Sequence, residues 1–178
     1  MTQQPQSPVF AADCGACVAL CCVALAFDKG QKFAEAKPAG TPCRHLARDG
    51  VLCTIHDRLH MDGFSGCVAY DCLGAGQRVS QELFAGQSWR KQPALLGPMI
   101  DAFWAMRHVQ EQHLLLVEAA KLPLTAAEEA ARQELLASLA PERDWDQASL
   151  TAFAPDQMQA KITTFLTGLR HHLASPAQ

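Results

Sequence analysis

All eight cysteines fall between Cys14 and Cys72, and the rest of the 178-residue chain contains none. The same stretch is rich in turn formers: Pro38, Gly40, Pro42, Gly50, Gly63, Gly66, Gly74 and Gly76. It is also short of apolar residues after Phe33. A loop-heavy segment of this kind cannot bury enough apolar surface to hold one shape, so it needs a cross-link or a metal. The longest uncharged apolar run near its start, Cys14–Phe27, is too short to span a bilayer. No basic region precedes that run, and Asp13 stands directly before it. Neither a cleaved leader nor a membrane anchor is expected, and the expected compartment is the cytoplasm. Thiols stay reduced there, and clustered cysteines bind metal more often than they pair.

The first group is Asp13-Cys14-Gly-Ala-Cys17-Val-Ala-Leu-Cys21-Cys22. On a helix, Cys14, Cys17 and Cys21 would fall within about 60° of one another, and Cys22 would lie on the neighbouring flank. Asp13 is placed to cap such a helix, whose free N-terminus would favour the thiolate. The second group arrives on turns: Cys43, Cys53, Cys67 and Cys72, with imidazoles at His45, His56 and His60 between them. Four Cys or His ligands suit Zn²⁺, and four cysteines suit an iron–sulfur cluster. Eight thiols suffice for two sites, or for one site with spare structural thiols. Cys22 also fits a buried structural thiol, and a disulfide framework would require an oxidising compartment.

The ordered series Cys17-(three)-Cys21-Cys22, Pro42-Cys43-(two)-Leu46, Cys53-Thr-Ile55-His56-(one)-Arg58 and Cys67-(two)-Tyr70-(one)-Cys72 resembles the bacterial YkgJ-like cysteine-cluster family, described as a zinc- or iron-chelating domain. Gly66-Cys67, Asp71-Cys72 and Gly74-Ala-Gly76-Gln77 are similar to the cysteine-rich helical module that precedes pentapeptide repeats in some bacterial proteins. The resemblance covers residues 14–78. It implies ligands drawn from Cys17, Cys21, Cys22, Cys43, Cys53, Cys67 and Cys72. The helix-face reading adds Cys14, and His45 and His56 form a second tier. Asp57 and Arg58 are read as an ion pair or as outer contacts to the ligands.

The remaining residues read as helical. A short helix is expected over Ser80–Phe84 with Ser80 as its cap. A long one is expected over Pro93–Leu122, where Leu96, Met99, Ile100, Phe103, Met106, Leu114 and Val117 recur near helical spacing. Thr125-Ala-Ala-Glu128 is a capping box ahead of Leu135, Leu136 and Leu139. Asp156-Gln-Met-Gln159 is a second cap signal before the stripe Ile162, Phe165, Leu166, Leu169 and Leu173, which Ser175-Pro176 would close. Trp89, Trp104 and Trp145 read as core, and His171-His172 as partners of a helix C-terminus. Gly74-Ala-Gly76 lacks a third glycine and a preceding strand, so it reads as a turn rather than a phosphate loop.

Formal charge is −3, with no basic block to track a phosphate backbone and no polybasic amphipathic stretch. Neither nucleic acid nor a membrane surface is expected as a partner. The expected protein is mainly α: a lead-in over 1–13, a loop-rich, metal-bound cysteine-cluster subdomain over 14–78, and a small helical bundle over 79–178 on which it packs. Its expected function is binding of Zn²⁺, iron or an iron–sulfur cluster, with the centre structural or serving metal handling or sensing. Two other readings are an iron–sulfur-dependent modifying enzyme and a helical module for a protein partner stabilised by a structural metal. No catalytic residue or substrate is legible.

Overall fold

A computed structural model describes residues 10–48, 52–139, 145–153 and 155–173. The protein is mainly helical, and among the described residues extended pairing is limited to two isolated antiparallel bridges, Phe27–Lys37 and Leu46–Cys53. The chain divides into two compact units, Met1–Arg107 and His108–Gln178.

The first unit opens on a 3-10 turn, Cys14–Ala16, capped by the Asp13 carboxylate, which accepts from Gly15 N at 2.9 Å and Ala16 N at 3.3 Å. The turn does not continue into a helix, contrary to the expectation of one helix through Cys22. Cys17 is extended, Ala19 is left-handed with φ 62°, and α1 begins only at Leu20, running Leu20–Ala24. The physical reason lies at Val18. Its N–H is taken by Ser80 Oγ at 3.0 Å and its carbonyl by the Trp89 indole N–H at 2.7 Å. Both backbone groups are thereby withdrawn from any helical ladder. α1 then buries Leu20, Val23 and Ala24 and leaves Cys21 and Cys22 half-buried.

The loops that follow are held by aromatic packing. Phe27 and Phe33 stack at 4.4 Å, and Phe64 meets both edge-on. Gly66 belongs to α2, Ser65–Ala69, and a Cβ there would lie 2.1 Å from the Phe33 ring. The next helix, α3 (Ala75–Arg78), runs on into a π turn over Val79–Leu83. The helix expected to start at Ser80 therefore starts five residues earlier. Ser80 is not its cap but a buried residue whose hydroxyl donates to Gly76 O at 2.8 Å. A 3-10 turn over Pro93–Leu95 feeds α4, Leu96–Ala119, with Pro98 in its first turn. Met99, Phe103 and Met106 are wholly buried, as is nearly all of Trp89, whereas Trp104 is 47% exposed and is not a core residue.

The second unit contains α5 (Ala126–Leu139), α6 (Gln147–Ala152) and α7 (Pro155–Gly168), the last tightening into a 3-10 turn over Leu169–His172. The Thr125–Glu128 capping box forms as expected: Thr125 N donates to Glu128 Oε2 at 2.7 Å, and Glu128 N to Thr125 Oγ1 at 3.3 Å. The core is Leu116, Leu139 and Ile162, with Leu135, Leu136, Phe165 and Leu166 packed against it. Asp156 lies inside the first turn of α7 rather than capping it, and Leu173 is 73% exposed, so the stripe ends at the buried Leu169. α6 was not expected; Asp146 and Ser149 form its capping box. Ser175-Pro176 lies outside the described residues. Among them, no helix is long and apolar enough to cross a membrane.

Candidate metal centre

Four thiols face one cavity. Cys14, Cys17, Cys21 and Cys72 line a space of about 20 Å³ together with Asp13, Gly76, Gln77 and Phe103. The four arrive from three local structures: the 3-10 turn and its exit, α1, and the loop before α3. Side chains from α3 and its π extension fasten the N-terminal thiols in place. Gln77 accepts from Asp13 N at 3.0 Å and donates to Ala11 O at 2.8 Å, and Gln81 donates to Ala16 O at 2.7 Å. Cys14, Cys17 and Cys21 thus line one cavity, and a broken segment rather than the expected helix face places them there.

The backbone around these thiols is strained. Ala19 has φ 62° and Leu73 has φ 51°, and neither is glycine. A left-handed non-glycine residue costs on the order of 1–2 kcal/mol. Ala19 lies between Cys17 and Cys21, and Leu73 directly follows Cys72. Gly74 continues the left-handed turn with φ 79°, and the Asp71 carboxylate takes Leu73 N at 2.7 Å. Gly76 answers a different need. A Cβ there would stand 2.7 Å from Cys17 Sγ and 3.8 Å from Cys72 Sγ, so glycine is what lets the helix approach the thiols.

None of the eight cysteines is paired in a disulfide. Burial pushes the Cys14 thiol up, and the thiols of Cys21 and Cys72 and the Asp13 carboxylate push it further. Burial also raises Cys17, against hydrogen bonds from Leu20 N and Ser80 that pull it down. The Cys21 thiol is driven up first by its hydrogen bond with Cys22, Sγ to Sγ 3.9 Å, and then by burial. Helix-terminal lowering of these groups, the sequence expectation, is outweighed because the segment is not one helix and its thiols crowd one another. Tyr70 is nearby: burial lifts its hydroxyl to about 12, with the Arg107 guanidinium opposing and the Cys21 and Cys72 thiols adding to the rise.

The other four cysteines form a looser group. Cys43 N donates to Cys22 O at 2.9 Å, Cys53 bridges to Leu46, and Cys67 N donates to Phe64 O at 3.0 Å. Burial lifts the Cys67 thiol to about 11, and the thiols of Cys21, Cys43 and Cys53 add to it. Burial likewise raises Cys43, with Cys53 and Glu35 adding and Lys37 opposing. The sequence reading overlooked Lys37 here. It is 6% exposed and donates to the carbonyls of Val23, Pro38 and Thr41 at 3.2, 3.1 and 2.8 Å. Burial lowers its pKa, and the thiols of Cys43, Cys22, Cys21 and Cys67 oppose that fall.

The second-tier histidines go elsewhere. His45 Nε2 lies 3.4 Å from Glu35 Oε1, and its ring packs edge-on against Phe64. His56 is exposed beside Asp57 at 3.7 Å. Arg58 pairs with Asp62 at 3.6 Å rather than with Asp57. His60 is exposed. Among the described residues, three ligand atoms all within 4.8 Å of one another occur at Glu128, His171 and His172, and at no set of three thiols. Cys21 and Cys22 lie 3.9 Å apart, Sγ to Sγ, but no third thiol joins them at that spacing.

The chain is similar to the uncharacterized protein YybG of Bacillus subtilis (strain 168), 44% identical over 113 residues. That stretch is 64% of this chain and 40% of the relative, so the match spans less than half the relative's length. No family model matches the chain, and no solved structure matches it.

Proposed function

We propose that the chain binds a metal through its cysteine segment, with Cys14, Cys17, Cys21 and Cys72 holding one ion. The observation that carries this is their convergence on a single cavity of about 20 Å³. That volume accommodates roughly one water-sized occupant. It suits a single ion better than a cluster of several iron and sulfur atoms. Four thiolates at about 2.3 Å from Zn²⁺ would stand some 3.8 Å apart, so binding draws the thiols inward. A four-cysteine site leaves no coordination position for a substrate, which favours a structural or sensing role over catalysis. Cys22, Cys43, Cys53 and Cys67 remain candidates for a second ion, with the buried Lys37 ammonium offsetting part of the thiolate charge.

Anaerobic purification from metal-replete cells, followed by elemental analysis and an optical spectrum, tests this. A near-integral zinc content in colourless protein is expected. Brown protein with iron and sulfide would replace the single-ion reading by a cluster. Folded, reduced protein free of metal would overturn both.

A further inference from the structure

The second unit carries a separate set of ligand groups. Glu128 sits in the first turn of α5, and His171 and His172 in the 3-10 turn that ends α7. One ligand atom of each lies within 4.8 Å of the others. His172 is nearly enclosed, with 9% of its side chain exposed, against 20% for Glu128 and 59% for His171. The capping box fixes the carboxylate: Thr125 donates its N–H and its hydroxyl to Glu128 Oε2 at 2.7 and 2.8 Å. Oε1 is left facing His171 Nε2 at 3.3 Å.

The hydrogen bonding of His171 decides what that approach means. Its Nδ1 lies 2.9 Å from Gly168 O, and a carbonyl only accepts, so Nδ1 carries the proton. On the neutral ring the Nε2 lone pair would then face a carboxylate oxygen, and on the protonated ring an Nε2–H would. A metal cation shared by Nε2 and Oε1 suits the first arrangement, and the second is an ordinary ion pair. An imidazole whose outer nitrogen donates to a backbone carbonyl is also the arrangement that orients a metal-bound histidine. His172 Nε2 points at the same carboxylate, 3.0 Å from Oε2.

We propose that Glu128, His171 and His172 form a mononuclear site for a late first-row divalent cation, with Zn²⁺ as the reference ion. Two imidazole nitrogens and one carboxylate oxygen select such an ion over Mg²⁺ or Ca²⁺, which take oxygen ligands. Three protein ligands leave a fourth position to water or an external ligand. The ion would tie the start of α5 to the end of α7, closing a long loop of chain. This site shares no residue with the cysteine cavity.

The test uses the full chain, saturated with Zn²⁺ at its thiols, and calorimetric titration with further Zn²⁺. Wild type is expected to bind one equivalent more than a His171→Ala/His172→Ala variant. The same difference is expected in a Cys21→Ser background, which separates this site from the thiol one. Glu128→Gln preserves a capping-box side chain, so it should fold yet bind the extra ion more than about 100-fold more weakly, beyond the loss expected for an outer contact. Equal stoichiometry with and without the two histidines would overturn the proposal. So would a chain that takes no extra ion while its ¹⁵N imidazole shifts report two protonated rings, because a proton would then be the bridging cation.

Discussion

At Gly76, alanine would gain about 1 kcal/mol of helix propensity, because the residue lies within α3. The added Cβ would also stand 2.7 Å from Cys17 Sγ, nearer than atoms pack. Overpacking of this kind costs about 1–3 kcal/mol, so the collision wins. Gly76→Ala is expected to lower the melting temperature and the zinc content together, whereas the same change at Gly97, which has open space around it, should leave metal content unchanged. Cys21 and Cys22 offer a second comparison. Only Cys21 lines the cavity. Cys21→Ser replaces a soft thiolate with a hydroxyl that binds zinc poorly, and is expected to lose that cavity's ion. Cys22→Ala should keep it. Metal per folded chain, measured on the two variants side by side, decides; loss of that ion from Cys22→Ala alone would move the site to the looser group.

Caps show at the element scale which parts of the fold could be read from sequence. The Asp13 turn and the Thr125–Glu128 box were legible because donor and acceptor lie within three residues of each other. The break between Cys17 and Leu20 was not, because the groups that cause it, Ser80 and Trp89, lie 62 and 71 residues from Val18. For the same reason the thiols were expected on a helix face that does not form, and the late shift of α3 to an earlier start was missed. α6 escaped notice because six residues leave no room for an apolar stripe, although Asp146 and Ser149 follow the same cap grammar. Glu128 had already been accounted for by its cap, which hid its approach to two histidines. The hydrogen bond from Ser149 N holds the Asp146 carboxyl below its ordinary value of 3.8. A depressed carboxyl pKa stabilises the fold above the unfolded value, and that contribution fades as pH falls below it. Protection of the Ser149 and Leu150 amides, taken against the intrinsic exchange rate at each pH, is therefore expected to fall below about pH 3.8 and to be low at neutral pH in Asp146→Ala. Exchange in the variant matching wild type at pH 7 would show that α6 does not depend on its cap.

For the whole molecule, the two units differ in what holds them. The second has an apolar core of its own at Leu116, Leu139 and Ile162, gathered from α4, α5 and α7. The first has buried helical residues such as Met99 and Phe103, and its cysteine loops add the Phe27–Phe33–Phe64 packing to long-range hydrogen bonds and strained turns at Ala19 and Leu73. If metal ligation holds those turns, its binding free energy is part of the folding free energy of that segment alone. Chelation should then act unequally. The experiment is best done on His171→Ala/His172→Ala, so that no ion is withdrawn from the second unit. Hydrogen exchange over residues 14–24 and 65–78 is expected to accelerate by at least about tenfold, the change that ~1.4 kcal/mol of lost local stability produces. Exchange within Ala126–Leu139 and Pro155–Gly168 should stay near its starting rate. Equal acceleration in both units would mean that the chain opens as one cooperative body, and that the metal stabilises the whole rather than the cysteine segment.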